Sequence, residues 1–383
     1  MGIFMKLEEE MSEFNDEEIH DGYWYKISDV IIILVCGMLC GLQTQGAIYQ
    51  WASSNPTKKF LKEEFGIDEL FVRSHFYNLL KKIDAKKFKK HFIIWMQYVL
   101  KTGVKGKTVS IDGKTICSTD TLNEDGSLLS IVSAVVSEFK LVIGSEEIVN
   151  GEINALRELI KLLDLYGCVV VADAIHCNPK TAQSILDEKA DYILVVKKNQ
   201  ETTHNFLKDY FENNQVESLV VTEKNGGRIE TRTGYISYEV DKMPNKIRNK
   251  WPNITLMGAI HREFEKGGKK TSEWHFYISS KEQSVEEFLS RVRMEWQVES
   301  MHWLLDVHFR EDHTHVYDMN VQLLLNNVRK IALNFARLFR DTFGRKGDSL
   351  IGVLRHNLFN IDDFRLFIEF FREIEPSKLT ALM

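Results

Sequence analysis

Between residues 107 and 200 the chain alternates between short apolar runs and stretches with helical spacing, and this alternation constrains the fold more than any other feature. Five runs have the length and composition of strands, at residues 107–112, 128–136, 141–149, 168–172 and 192–196. The apolar residues of 152–166 recur every three or four positions, which predicts a helix between the third and fourth strands. Pro179 opens a second helix that runs to Lys189. The run 168–172 is apolar and rich in β-branched residues, as is typical of a strand buried on both faces.

Three strands, a helix, a strand, a helix and a strand is the element order of an RNase H-like sheet. The predicted fold class is therefore α/β, with a mixed five-stranded sheet packed against helices. From about residue 216 to residue 280 the chain is β-rich, with turns at the Gly-Gly pairs 226–227 and 267–268. Because one long helix follows only at residues 285–303 and another at 320–339, we interpret the β-rich segment as an insertion within this domain.

The sequence predicts four parts in chain order. Residues 1–24 form an acidic, flexible leader, and residues 25–105 form a small domain in which the apolar residues have helical spacing throughout. Residues 106–340 form the RNase H-like domain with its β-rich insertion. Residues 341–383 form a helical tail.

The charge of the chain is unevenly distributed. The formal net charge is −6, which by itself argues against nucleic-acid binding. However, residues 1–22 contain eight acidic residues and one lysine, whereas residues 81–107 contain nine lysines and one aspartate. The Lys-rich stretch is the best candidate for contact with the DNA backbone, because phosphate neutralisation requires a high density of positive charge. A solvated helix face is the alternative. The candidate lysines are Lys86, Lys87, Lys89 and Lys90.

Cysteine usage and hydropathy indicate the compartment. The five cysteines form no C-x-x-C pair, as expected in a reducing cytoplasm. Cys168, His176 and Cys177 lack a fourth ligand at the spacing of a zinc site. The most apolar stretch, residues 30–42, is shorter than the roughly 20 residues that cross a bilayer. We therefore expect a cytoplasmic protein without a membrane partner.

Two aspartates follow or end predicted strands that are neighbours in the RNase H-like sheet. Asp112 ends the first strand and Asp173 directly follows the fourth. A carboxylate beside a buried strand is costly unless it is paired, hydrogen-bonded or bound to a metal. The two side chains are expected to meet at one edge of the sheet and to attract hard divalent cations. Taken alone, either residue is better explained as a turn former at a strand end or as a helix N-cap.

Glu299 is the third candidate ligand. It lies on the predicted helix 285–303, and His302, Trp303 and Asp306 lie on the same face. If this helix packs beside the first and fourth strands, Glu299 completes an Asp-Asp-Glu cluster. Such a cluster holds two Mg²⁺ or Mn²⁺ ions roughly 3.5–4 Å apart. A solvated helix position is the alternative for Glu299.

Several short stretches, taken in order, resemble the H-repeat-associated DDE transposases of bacterial insertion sequences. They are Ile111–Lys114, Ala172–Cys177, Asp191–Gln200, Gly227–Arg232, Trp296–Val307 and Phe309–Asp312. The resemblance is collinear from about residue 25 to residue 340, and residues 28–100 resemble the N-terminal domain associated with that family. It implies that the catalytic carboxylates are Asp112, Asp173 and Glu299. It also implies terminal inverted repeats and target DNA as partners, a homodimer in the synaptic complex, and association with the nucleoid.

The chain departs from the family pattern around Glu299. Glu295 stands where the family has a histidine, and Ser300 replaces an asparagine. Related transposases place an arginine four residues before the glutamate and a lysine seven after it, whereas this chain has Glu295 and Asp306 there. Gly226 replaces a further histidine. None of these changes removes a carboxylate of the expected cluster.

Other residues near the predicted site have two interpretations. Five would lie at the same edge of the sheet as the aspartates and suit phosphate contact, namely Lys114, Lys197, Lys198, Asn199 and Gln200. Solvated strand ends are the alternative. Trp296 and Trp303 are expected in the core, and His308, His313 and His315 in a solvated loop.

These features predict a DNA transposase of an insertion sequence. It would bind terminal inverted repeats, hydrolyse a phosphodiester with Mg²⁺, and transfer the freed 3′-hydroxyl to target DNA. Two alternatives stay open at this point. One is a metal-dependent nuclease without strand transfer, and the other is a catalytically silent DNA-binding relic or regulator derived from a transposase.

Overall fold

The structure, a computed structural model, describes residues 1–15, 26–101, 103–117, 126–225, 228–266, 269–344 and 348–382. Residues 16–24 of the predicted leader and the two Gly-Gly turns lie outside the described residues. One mixed sheet runs through the molecule. Its strands are β1 (Thr108–Thr115), β2 (Ser130–Val136), β3 (Leu141–Glu147), β4 (Val169–Ala172), β5 (Asp191–Val196), β6 (Glu217–Asn225), β7 (Arg228–Ser237), β8 (Leu256–Lys266) and β9 (Lys269–Ser279).

Helices of the described residues lie on both sides of this sheet. They are α1 (Ile3–Ser12), α2 (Ile27–Leu39), α3 (Gln45–Ala52), α4 (Asn55–Phe65), α5 (Arg73–Lys82), α6 (Ala85–Val99), α7 (Glu152–Leu162), α8 (Pro179–Asp187), α9 (Glu201–Asn213), α10 (Asn245–Arg248), α11 (Val285–Met294), α12 (Trp296–Phe309), α13 (Met319–Phe343), α14 (Leu350–Phe359), α15 (Ile361–Glu373) and α16 (Pro376–Leu382). None of these helices combines the length and the apolarity needed to cross a membrane.

The first five strands have RNase H-like topology. The sheet order is β3-β2-β1-β4-β5-β9-β8-β7-β6. β1 is antiparallel to β2 and parallel to β4, and β4 is parallel to β5. In this register Ile111 lies opposite Ala172, and Ala172 lies opposite Leu194. The predicted α/β class with a mixed five-stranded core is confirmed.

The β-rich insertion extends the same sheet instead of forming a separate body. β9 pairs antiparallel with β5, and the two long hairpins β6–β7 and β8–β9 continue the order outward. α11 lies on one face of this enlarged sheet, where Phe288 and Leu289 pack over glycines. A Cβ at Gly258 would lie 2.5 Å from the Phe288 ring, and one at Gly234 would lie 2.6 Å from Leu289. These close approaches determine where α11 sits.

The predicted helix 285–303 is in fact two helices, α11 and α12, which meet at Glu295. Ser284 begins α11 with a capping box, in which its hydroxyl accepts from the Glu287 N–H and the Glu287 carboxylate accepts from the Ser284 N–H. α11 packs on the insertion strands, whereas α12 packs on β1 and β2. Glu295 itself has helical backbone angles, and the two helices contact different parts of the sheet.

The start of the chain differs from the predicted flexible leader. Residues 3–12 form α1, which packs against α6 and α15. Four apolar residues are buried, Ile3, Phe4, Leu7 and Met11. Glu9 is exposed, whereas Glu10 is buried and its carboxylate pairs with Lys6 and His91. The guanidinium of Arg372 on α15 donates to Glu8 at 2.6 and 3.2 Å. Burial of this apolar face explains why an acidic segment is nevertheless ordered.

α13 passes through the centre of the helical layer and carries an unusual number of buried polar residues. They are Gln322, Asn326, Asn327, Arg329, Lys330, Asn334 and Arg337. The side chain of Asn334 hydrogen-bonds to the backbone of β3, the edge strand of the sheet. Its side-chain amide accepts from the Val142 N–H at 2.9 Å and donates to the Val142 carbonyl at 2.8 Å. The amide thus covers backbone groups that an edge strand would otherwise expose.

Candidate active site

Asp112 and Asp173 occupy equivalent positions on neighbouring parallel strands. Each comes one residue after the pair Ile111 and Ala172. Strands in a sheet are roughly 4.8 Å apart, and residues at equivalent positions of parallel strands point to the same face. β1 continues to Thr115, so Asp112 lies within the strand and not at its end as predicted. The two aspartates face the side of the sheet that α11 and α12 cover.

Alternate residues of β1 hold the α11–α12 unit in register. Three pairs join strand and helices: Ser110 with Met294, Asp112 with His302, and Lys114 with Asp306. The Ser110 hydroxyl donates to the Met294 carbonyl at 3.0 Å, and His302 Nε2 lies 3.9 Å from Asp112 Oδ2. Glu299 is one turn before His302, and its negative charge acts on Asp112.

The pKa of the Asp112 carboxyl is raised to about 6. The chief cause is burial, and the negative charges of Glu152 and Glu299 act in the same direction. The imidazole of His302 offers no positive charge in compensation, because burial lowers its pKa to about 3. A partly buried carboxylate therefore lies among other carboxylates. Glu299 itself is exposed, so the cluster is open to a large substrate.

Glu295 adds a carboxylate that the sequence-based prediction treated only as a departure from the family pattern. It lies at the junction of α11 and α12, and burial together with the charges of Asp173, Asp112 and Glu299 raises its pKa to about 7. The ammonium of Lys197 opposes that effect. The sequence did contain a signal, because residues four apart on a helix share a face.

Glu152 and His176 line the opposite side of β1. Glu152 Oε1 lies 3.0 Å from Nε2 of the fully buried His176. The residue after Asp112 must be a glycine here, since a Cβ at Gly113 would lie 2.5 Å from the Glu152 carboxyl group. Glu152 raises the pKa of the Asp112 carboxyl, and His176 lowers it.

This arrangement suits divalent cations. The charges of Asp173, Asp112 and Glu299 all act on Glu295, and the Lys197 ammonium lies 3.0 Å from Asp173 Oδ1. Among the described residues, the oxygens of these four carboxylates do not form a group within 4.8 Å of one another, as those of Asp306, Glu311 and Asp312 do. Clustered carboxylates with raised pKa values are relieved when a hard cation binds between them, and Mg²⁺ and Mn²⁺ prefer such oxygen ligands. The residues present therefore fit a metal ion.

A second acidic group, formed by Asp306, Glu311 and Asp312, has carboxylate oxygens close enough to share an ion. The ammonium of Lys114 lies among them. It contacts Asp306 and lies 3.1 Å from Glu311 Oε2 and 3.2 Å from Asp312 Oδ1. Lys114 was predicted to suit phosphate contact, but its side chain is 15% exposed and turns toward these three acids. Lys114 does not face solvent as predicted because α12, which is distant in sequence, packs on β1 and brings these acids to it.

The other predicted DNA contacts fall into two groups. Two side chains anchor the loop after β4: Asn199 donates to the Ala174 carbonyl at 2.6 Å and Gln200 to the Cys177 carbonyl at 2.7 Å. Lys197 and Lys198 are exposed.

The Lys-rich stretch divides similarly. Lys86 and Lys90 are exposed on α6. The Lys89 ammonium donates to the Glu146 carboxylate at 2.6 Å, and that of Lys87 donates to the Glu13 carbonyl at 2.9 Å. Exposed lysines are thus fewer than the sequence suggested.

Trp296 and Trp303 were expected in the core, and this expectation is wrong. They are 56% and 59% exposed. The spacing of seven residues places both on one helix face, but this face of α12 is turned to solvent. Glu299 lies between them on the same face. Two exposed indole rings therefore flank the acidic cluster.

Comparison with known proteins bears on the family of the chain. Residues 107–335 match the family model described as transposase DDE domain, and residues 9–96 match the model of the segment associated with that domain. YncI of Escherichia coli O157:H7, named as a transposase, is 30% identical over 335 residues, which cover 84% of each chain. YhhI of Escherichia coli (strain K12), named as an H repeat-associated transposase, is 27% identical over 339 residues, which cover 84% of this chain and 88% of that one.

Among solved structures, the cryo-EM structure of a piggyBac transposase synaptic complex with hairpin DNA matches 97% of this chain and 79% of that chain. The TM-score is 0.46 and the identity 12%, which is too low to support an inference. The family models and the relatives, together with the RNase H-like sheet and its acidic cluster, lead to one conclusion. The chain belongs to the H-repeat-associated DDE transposases of bacterial insertion sequences.

Proposed function

We propose that this chain moves an insertion element by Mg²⁺-dependent or Mn²⁺-dependent cleavage of DNA followed by strand transfer, with Asp112, Asp173 and Glu299 as the metal-binding carboxylates. The observation that supports the proposal is that Asp112 and Asp173 follow paired residues of β1 and β4, and that their charges and that of Glu299 all act on Glu295. When two ions are bound, they activate the attacking water or 3′-hydroxyl and stabilise the leaving oxygen.

The chain's own residues have three tasks in this reaction. Asp112, Asp173 and Glu299 orient the cations from three different elements, which fixes the geometry better than a single loop would. Glu295 adds negative charge behind them. Lys197, at 3.0 Å from Asp173, is placed to turn to a DNA phosphate when a cation takes over that carboxylate.

Exposed groups around the cluster supply candidate DNA contacts. Trp296 and Trp303 flank Glu299 and present flat rings on which unpaired bases can stack. Lys198, Lys86 and Lys90 are exposed and suit contact with phosphates. The partners are the terminal inverted repeats and the target DNA. Two protomers hold the two ends in a synaptic complex on the nucleoid of the bacterial cytoplasm.

The test uses DNA carrying the inverted repeats that flank the gene. Asp112→Asn and Glu299→Gln are expected to abolish Mg²⁺-dependent cleavage and joining while DNA affinity is retained. Glu158→Gln, on an exposed glutamate of α7, is the matched control and should leave both unchanged.

Three outcomes would contradict parts of the proposal. Cleavage that survives both substitutions overturns the assignment of the site. Cleavage of any duplex without joining identifies a nuclease. Tight DNA binding without cleavage by the unsubstituted chain identifies a DNA-binding regulator.

A further inference from the structure

Lys114 is held in an environment that its place in the sequence does not explain. It lies two residues after Asp112, so both side chains leave the same face of β1. Its ammonium contacts carboxylates from two separate segments: Asp306 on α12, and Glu311 and Asp312 in the short turn that follows α12. Glu311 is 1% exposed and accepts a further hydrogen bond from Asn326 of α13 at 2.6 Å. The ammonium thus occupies a position that a metal ion could otherwise fill.

The spacing of the contacts lets Lys114 and its three acids fix the position of α12 along β1. Two strand residues advance roughly 6.6 Å, from Asp112 to Lys114. Four helix residues advance roughly 6 Å, from His302 to Asp306. Because these advances match, His302 meets Asp112 while Asp306 meets Lys114, and α12 runs along β1 in a fixed register.

Glu299 depends on that register. It lies on α12 one turn before His302, and it is exposed with no hydrogen bond of its own among those described. Its distance from Asp112 is therefore set by where α12 sits along β1. Near this site Lys114 contacts Asp306 directly, whereas His302 Nε2 lies 3.9 Å from Asp112 Oδ2 and has no hydrogen-bond partner among the described residues, so the Lys114–Asp306 pair is the closer link between strand and helix.

We propose that Lys114 is a positioning residue, which sets the axial position of α12 on β1 through Asp306 and thereby sets the separation of the Asp112 and Glu299 carboxylates. This inference rests on the proposed function, because it concerns the affinity of that carboxylate pair for a divalent cation. The role is distinct from phosphate binding, since the ammonium is turned toward the three acids.

The direction in which Mn²⁺ affinity changes when Lys114 is replaced distinguishes a positioning role from a purely electrostatic one. Loss of a positive charge near a cation site should strengthen cation binding if charge alone mattered. If Lys114 positions α12, its loss should instead weaken binding. Mn²⁺ affinity of the full chain, measured by electron paramagnetic resonance titration without DNA, reports this without turnover. Lys114→Met is expected to weaken Mn²⁺ binding by about 10- to 100-fold, as for other residues that orient metal ligands. Lys114→Arg should recover part of the affinity.

A pair of aspartate variants provides the matched comparison. Asp306→Asn and Asp312→Asn each remove one carboxylate from Lys114, but Asp306 belongs to α12 and Asp312 to the turn beyond it. Asp306→Asn should weaken Mn²⁺ binding several times more than Asp312→Asn. Lys62→Met, which removes the exposed lysine of the ion pair with Asp68, should have no effect.

The results separate the inference from the proposed function. Unchanged or tighter Mn²⁺ binding by Lys114→Met at the site that Asp112→Asn removes overturns the positioning role. If circular dichroism shows that this variant is unfolded, equal effects of Asp306→Asn and Asp312→Asn overturn it instead. If the unsubstituted chain binds no Mn²⁺, or if Asp112→Asn binds as tightly as the unsubstituted chain, the proposed metal site fails, and the inference fails with it.

Discussion

The ammonium of Lys197 lies 3.0 Å from Oδ1 of Asp173, and this pair joins the ends of the neighbouring parallel strands β4 and β5. Both side chains are about half exposed, so the pair adds little to stability. Its position is more informative, because the lysine competes with any cation for one of the proposed metal ligands and can also reach DNA.

Lys197→Met is therefore expected to have opposite effects on two ligands. Mn²⁺ binding in the absence of DNA should become tighter, since the competing ammonium is gone. DNA binding should weaken, and the slope of log affinity against log salt should fall by about 1. Lys180→Met, at an exposed lysine of α8, is the control. An unchanged salt slope would show that Lys197 does not contact phosphate.

Substitution of Glu295 should stabilise the metal-free protein in a pH-dependent way. Its folded-state pKa is raised to about 7, mainly by burial, so the neutral form favours folding and that contribution is lost as pH rises through 7. Glu295→Gln should therefore raise the free energy of unfolding by about 1–3 kcal/mol at pH 8, and the gain should vanish near pH 4. Urea denaturation in the presence of a chelator measures both values.

Glu158→Gln removes an exposed glutamate on α7 and serves as the control for that experiment. It should not change the free energy of unfolding at either pH. A gain for Glu295→Gln that is equal at pH 4 and pH 8 would contradict the explanation by buried charge.

Gly258→Ala should disturb the packing of α11. The new methyl group would lie 2.5 Å from the Phe288 ring, so the helix must shift. We expect a loss of about 1–3 kcal/mol in the free energy of unfolding, and slower DNA cleavage because α12 follows α11. Adding Phe288→Leu should recover part of the stability. Gly46→Ala, whose methyl group would face the end of the flexible Arg73 side chain, should be nearly neutral. Equal losses from the two alanine substitutions would contradict this account.

Trp303→Ala should weaken binding to DNA with an unpaired end and leave the fold intact. The indole is 59% exposed beside Glu299, and stacking on a base contributes about 1–3 kcal/mol. The dissociation constant, measured by fluorescence anisotropy of labelled DNA, should rise about 5- to 100-fold. Phe359→Ala removes an 81% exposed aromatic ring on α14 and should have no effect. Equal affinities for the two variants would exclude stacking at Trp303.

The strands could be predicted from sequence because their signals are local, although β1 runs three residues beyond the predicted end at Asp112. Buried parallel strands such as 168–172 are continuous apolar runs, and an aspartate that follows such a run must lie near the sheet edge. The apolar spacing of α1 was equally local, but eight acidic residues nearby obscured it. A helical interpretation of Ile3, Phe4, Leu7 and Met11 was available from their spacing.

The remaining features depend on contacts between distant parts of the chain. The seven-residue spacing of Trp296 and Trp303 defines a helix face, but it does not determine whether that face meets the core or the solvent. The division of one predicted helix into α11, which packs on the insertion strands, and α12, which packs on β1 and β2, appears only in the folded chain. The partners of Lys114 lie 192 to 198 residues away in sequence. No local pattern contains such information.

The contact between α1 and α15 has a consequence for synthesis. Arg372 pairs with Glu8 across 364 residues, and the Ile3 N–H donates to the Ile374 carbonyl at 3.2 Å. The ribosome must therefore release residue 374 before α1 can find its partner. Until then the buried face of α1 has no cover from α15, although the sheet can already form. The packing of α1 against α15 therefore forms late in synthesis. A nascent chain interrupted before α15 would leave an exposed apolar surface for chaperones and proteases.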